Sequence, residues 1–211
     1  MAMSQFAFTL PYAPLFLKEN FFVSACNADA YEWVMLWPNW PAHALIIYGE
    51  PGSGKSHLGH IWAARAEAKT QDISAETLTR NALVEHIASF KQSALLHLLN
   101  YAKENGLHLL LTTNTAPKQL PFTLPDLTSR LLALPSVQIA PPDDTVLMAA
   151  MRKQFADRQL KVEEDVIAYI IPRIERSFIS VADAVTALDS KALSAHKNIT
   201  IPFAKQVLGF D

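Results

Sequence analysis

Cysteine is almost absent. Cys26 is the only one in 211 residues, which excludes an internal disulfide framework and the cysteine-rich zinc sites and fits a reducing compartment. An excess of positive charge is also missing: 18 Lys and Arg stand against 20 Asp and Glu, a net charge of -2. The broad basic surface of a dedicated nucleic-acid binder is therefore not expected, and DNA would be reached through a partner. No apolar run approaches membrane-spanning length, and the first basic residue is Lys18, so the cationic start of a secretory leader is lacking. The expectation is a soluble, cytoplasmic protein with no membrane contact. Internal repeats and low-complexity tracts are missing too. What remains is 50% hydrophobic, enough for one α/β core and a small second domain.

The most informative stretch is Gly49-Glu50-Pro51-Gly52-Ser53-Gly54-Lys55-Ser56, a G-x-x-x-x-G-K-S phosphate-binding loop. Its glycines let successive backbone N–H groups face phosphate oxygens, and the helix that His57 opens adds its positive N-terminal end. Lys55 would pair with phosphates and Ser56 with Mg²⁺. The context fits, because the apolar run 44–48 suits a buried parallel strand and residues 57–68 read as a helix.

Along the rest of the chain, residues 1–19 read as an arm interrupted by Pro11 and Pro14. Its alternating Gln5-Phe6-Ala7-Phe8-Thr9-Leu10 suits either a peptide laid into another protein's groove or a strand folded onto its own core. Residues 27–37 read as a helix capped by Asn27, with Trp37 and Trp40 as core packing. Residues 66–80 carry little pattern. The segment 82–87 reads as a buried strand ending in an acid, Glu85, where phosphate-loop ATPases place a carboxylate near Mg²⁺; a solvated strand end is the alternative. A helix over 91–105 stops at Gly106, and a second buried strand, 107–111, runs into Thr112-Thr113-Asn114, the sheet end where ligand-sensing groups gather. A helix over 124–134 carries Arg130, by itself a surface arginine, and 137–139 read as a last strand. Pro141-Pro142 mark a boundary. Beyond it four helices are expected, over 143–158, 163–174, 178–197 and 201–208, with Pro172 ending or kinking the second and Thr200 capping the last.

This order of loop, acid-ended strand, polar-ended strand, Pro125-Asp126-Leu127-Thr128-Ser129-Arg130-Leu131 helix and small helical lid closing in Ile199-Thr200-Ile201-Pro202-Phe203-Ala204-Lys205 resembles the DnaA-related AAA+ family, and within it the shorter Hda-type regulators. The resemblance implies an α/β AAA+ P-loop NTPase module, a parallel sheet flanked by helices and followed by the lid. The expected division is an arm at 1–19, a nucleotide-binding base at 20–140 and a lid at 141–211, with no DNA-binding domain after it.

By resemblance, Gly49, Pro51, Gly52, Ser53, Gly54, Lys55, Ser56 and His57 would bind ADP or ATP, Ser56 and Glu85 would hold Mg²⁺, and Asn114 would face the γ-phosphate. Phe22, Val23 and Asn27 match the segment closing over adenine. Arg130 matches an arginine finger acting in trans on a partner's ATP, worth about 10³ to 10⁵ in rate. Gln5, Phe6, Phe8 and Leu10 match a peptide that docks on the DNA polymerase sliding clamp, with phenylalanines where leucines are usual. DnaA and the clamp are the implied partners, with DNA reached through the clamp, and the family has a face for self-association.

Three departures bear on chemistry. Glu85 stands where the family has aspartate, His86 where a second acid is usual, and Ala182 at the position matched to the lid's sensor arginine. Slow or absent intrinsic hydrolysis is the expectation. The alternatives are a self-standing AAA+ ATPase such as a helicase loader, a DNA-binding module, and a small-molecule kinase.

Overall fold

The computed structural model describes residues 21–195 and 197–210. The arm, with Gln5, Phe6, Phe8 and Leu10, lies outside the described residues.

Four short strands, β1 (Ala44–Tyr48), β2 (Ala82–Val84), β3 (Leu109–Thr113) and β4 (Ser136–Gln138), form one parallel sheet in the order β2-β3-β1-β4. β1, β2 and β3 are apolar almost throughout because helices cover both faces. Their side chains alternate: Ala44, Ile46, Val84, Leu109 and Leu111 enter one cluster, while Leu45, Ile47, Leu83 and Leu110 enter the other. Helices α1 (Ala28–Leu36) and α2 (Lys55–Arg65) carry residues of the second cluster, and α3 (Gln92–Glu104) and α4 (Pro125–Ala133) carry residues of the first. Trp40 stacks on Trp62 at 5.5 Å and its indole N–H donates to the Trp33 carbonyl at 2.7 Å, so it is core packing, as expected.

The remaining helices, α5 (Asp144–Asp157), α6 (Glu164–Ile170), α7 (Phe178–Ala195) and α8 (Ile201–Leu208), bury a separate cluster around Leu147, Met151, Phe155, Ile167, Val185 and Leu188. Asp143 and Thr200 cap α5 and α8 by accepting the Val146 and Phe203 amides. Pro172 ends α6 as expected, in a 3₁₀ turn over Ile171–Arg173.

Several expectations shift. The strand expected to reach Ile87 stops at Val84, because His86 takes a left-handed conformation (φ 53°) and the chain turns through 3₁₀ residues Ile87–Ser89, with Ile87 still buried in the same cluster as Val84. Asn27 occupies the N-cap position of α1 without capping it; its amide instead accepts from the Ser24 N–H and donates to the Phe22 carbonyl, both at 2.8 Å, closing the turn before the helix. The poorly patterned 66–80 segment pairs with the sheet at one residue, Lys69 beside Ala82.

Candidate functional site

The register places the functional segments together. Tyr48 pairs with Thr113 and Val84 with Leu111, so the loop after β1, Glu85 after β2 and Asn114 after β3 all leave the same, carboxyl end of the sheet, where open α/β sheets bind ligands.

The loop is tightly enclosed. A Cβ on Gly49 would lie 2.4 Å from the Ile139 carbonyl oxygen, and Gly54 has φ +100°, so glycine is required at both. Lys55, 5% exposed, donates to the carbonyls of Gly49 at 2.7 Å and Glu50 at 2.8 Å. Burial pulls its pKa below the usual lysine range, opposed by the Glu85 carboxylate. The ammonium thus holds the loop in a closed curve and stands where incoming phosphates would compete for it.

Among the described residues, Ser53 Oγ, Thr113 Oγ1 and Glu85 Oε1 are buried without a hydrogen-bond partner. Such groups are costly to leave unpaired, by about 1–3 kcal/mol each, and all three belong to the loop or to strand ends beside it. Glu85 Oε2 lies 3.6 Å from His60 Nε2 on α2. An orphaned carboxylate oxygen next to the phosphate loop fits a cation there. Asn114 is exposed at the end of β3, and His86 is exposed with its N–H on Thr112 Oγ1 at 3.2 Å.

The aromatic residue facing the loop is Phe21, which sequence reasoning passed over for its neighbours. It stacks with Tyr31 at 6.0 Å, meets His57 edge-on at 5.3 Å, and its ring is the side chain nearest a Cβ placed on Gly54. Phe22 and Val23 are exposed beside it.

The lid reaches the loop through the start of α7. The Phe178 N–H donates to the Gly52 carbonyl at 3.3 Å, and the lid atoms nearest Gly52 and Gly54 belong to Ser177, Phe178 and Ile179. Ile179, which lies against Gly52, brings no charge, and neither does Ala182 one turn later, the position matched to the lid's sensor arginine.

Arg130 lies elsewhere. It sits in the last turn of α4, tied to Asp126 at 3.0 Å and 42% exposed, and it lines a cavity of about 440 Å³ with His43, Lys103 and Leu134. His43 precedes β1, at the opposite end of the strand from the loop. Six residues of extended chain separate His43 from Gly49, roughly 20 Å, far more than an arginine side chain spans. Burial first, then Lys103, His108 and Arg130, holds the His43 pKa below the ordinary histidine range.

Residues 143–208 match the family model described as "Hda, lid domain". The fold is similar to domain III of the replication initiation protein DnaA from Thermotoga maritima, at 19% identity and a TM-score of 0.80 over 95% of this chain and 98% of that one. It is similar to AMPPCP-bound DnaA from Aquifex aeolicus, at 19% identity and a TM-score of 0.71 over 86% of this chain and 67% of that one. The Thermotoga maritima RuvB Holliday junction branch migration motor shares the fold at 14% identity, with a TM-score of 0.68 over 87% of this chain and 67% of that one. No helix among the described residues is long and apolar enough to cross a membrane.

Proposed function

We propose that this chain, a DnaA-related AAA+ protein with a lid of the Hda kind, regulates replication initiation by stimulating ATP hydrolysis on DnaA. ADP or ATP would occupy the loop of residues 49–56 under Phe21 and the start of α7. Ser56 and Glu85 would hold Mg²⁺, which when bound screens the charge of the phosphates. The orphaned Glu85 oxygen supports that assignment. The clamp would be engaged through Gln5, Phe6, Phe8 and Leu10, and DNA through the clamp.

The observation that carries this reading is the position of Arg130. It is exposed and stands at the opposite end of the sheet from the chain's own loop, so any phosphate it touches belongs to another molecule. An arginine delivered in this way stabilises charge developing on the transferred phosphoryl group. The chain's own turnover has weak support at the same time: His86 faces solvent where a second acid would orient water, and the lid offers Ile179.

The test is single-turnover conversion of radiolabelled ATP on DnaA in the presence of this protein and clamp-loaded DNA, omitting each component in turn. Acceleration that needs every component and is lost in Arg130→Ala, with nucleotide binding by the variant intact, is the expected result. No acceleration in the complete mixture refutes the proposal, and fast ATP turnover by the purified chain alone would favour a self-standing ATPase.

A further inference from the structure

The cavity of about 440 Å³ beside Arg130 lies at the amino end of the sheet, away from the phosphate loop. Leu99, Asn100 and Lys103 reach it from α3, Arg130 and Leu134 from α4, and His43 from the chain entering β1. Spacings of three and four residues put each helix's contributors on one face. Lys103 and Arg130 are exposed, whereas Leu99 is buried and Asn100 and His43 are half-buried. Two cations therefore stand at the mouth, above Leu99 and the Asn100 amide. Among the described residues no Asp or Glu lines the cavity. Asp126 pairs with Arg130 through Nε alone, at 3.0 Å, which leaves both Nη groups able to grip an anion. Asn100 Oδ1 is buried with no hydrogen-bond partner among the described residues, an acceptor that is costly to leave unpaired. Burial first, then Lys103, His108 and Arg130, keeps His43 below the ordinary histidine range, against a hydrogen bond to the Leu99 backbone.

We propose that this cavity binds a small phosphate monoester, with the phosphate between Arg130 and Lys103 and a hydroxyl of the organic part donating to Asn100 Oδ1. A phosphate brings three strong acceptor oxygens, enough to engage the planar Arg130 fork and the Lys103 point charge together. The volume falls within the range of about 300–1,000 Å³ usual for small-molecule pockets. An ester bound there takes the same Nη groups that the proposed function offers to ATP on another protein, so the two compete. That competition rests on the Arg130 reading; the binding site does not.

The experiment is calorimetric titration of ribose 5-phosphate into the full chain saturated with ADP, so that the phosphate loop is filled, with ribose and inorganic phosphate as comparison ligands. Ribose 5-phosphate should bind at one site, inorganic phosphate about fivefold more weakly for want of the Asn100 contact, and ribose not measurably. Lys103→Ala and Arg130→Ala should each weaken the ester about tenfold or more, as loss of a charge-assisted contact does. ADP affinity should stay at the wild-type value in both, which establishes that they are folded. Followed by NMR, the His43 ring should titrate at higher pH with the ester bound, because the anion offsets Lys103 and Arg130. No binding of ribose 5-phosphate, equal binding to wild type and Lys103→Ala, or an unmoved His43 overturns the proposal and leaves the proposed function standing. Binding no tighter than that of inorganic phosphate overturns the ester as ligand. In the DnaA assay, stimulation that persists at saturating ribose 5-phosphate overturns the competition. Absence of stimulation without the ester refutes the proposed function alone.

Discussion

Gly49→Ala is the sharpest test of how the loop is built. The added Cβ would stand 2.4 Å from the Ile139 carbonyl oxygen and 3.1 Å from Ser53 Oγ, against an ordinary carbon–oxygen contact of about 3.3 Å or more. The oxygen cannot swing aside cheaply, because residue 139 is held to the end of β1 by its N–H on the Tyr48 carbonyl at 2.7 Å. Relief needs a separation of roughly 1 Å between the two segments. Overpacking of this kind costs about 1–3 kcal/mol, and loosening the Tyr48–Ile139 hydrogen bond adds about 1, so a loss of about 2–4 kcal/mol is expected. Gly106 is the control: φ is +65° with nothing within 4 Å of an added Cβ. Only backbone strain of about 1–2 kcal/mol applies there, partly offset by the lower entropy of the unfolded alanine chain. Urea denaturation followed by tryptophan fluorescence measures both. Gly49→Ala should unfold at clearly lower denaturant than Gly106→Ala and bind ADP weakly, since the Gly49 carbonyl is one of the two that hold Lys55. If Gly49→Ala is as stable as wild type, or Gly106→Ala is the worse of the pair, the close approach of the loop to residue 139 is wrong.

Other outcomes follow from the same geometry. Phe155→Ala, in the lid's own cluster and 2% exposed, should cost about 3–5 kcal/mol and split denaturation into two steps, the lid melting first; one coincident transition would contradict the separation of cores. Ile179→Arg puts a cation beside Gly52 from a position 55% exposed. It should leave stability within about 0.5 kcal/mol and tighten triphosphate binding about tenfold, as one charge-assisted contact of about 1.5 kcal/mol would; unchanged affinity would place the start of α7 away from the phosphates. Burial holds both His43 and His108 below the ordinary histidine range, with Lys103, His108 and Arg130 adding to the effect at His43. The unfolded chain then takes up protons that the folded chain refuses. The stability from these groups is full above about pH 6.5 and falls as the pH drops toward the folded values. The melting temperature should therefore decline from pH 7.5 to 5.5, less steeply in Lys103→Ala, and a flat or inverted profile would exclude this cause.

The loop, the apolar strands beside it and the lid helices were legible in the sequence because each is a local pattern: a glycine spacing, a continuous apolar run, a 3.6-residue period. Thr200 and Pro172 announced their helix boundaries by chemistry that acts within one turn. What the sequence did not show has a common origin in contacts between distant segments. Nothing near Phe21 distinguishes it from Phe22, since what selects it is Tyr31, His57 and Gly54 in the folded chain. Ile179 lies against Gly52 because α7 starts there, a docking no helical period encodes. The early end of β2 depends on the left-handed turn at His86, a conformation uncommon for any non-glycine residue even though histidine is enriched there. Residues 66–80 gave no strand pattern and make only the single pairing at Lys69.

The bond from the Phe178 amide to the Gly52 carbonyl also has a mechanical meaning. It joins the phosphate loop to the first residue of an 18-residue helix, which at 1.5 Å per residue extends about 27 Å from that point. A tilt of about 10° at Gly52 would carry the far end of α7 through nearly 5 Å. The loop is thus the fulcrum of a lever arm whose tip lies well outside the site. On the proposed function, a nucleotide that shifts the loop would reorient the far end of α7 through this one bond.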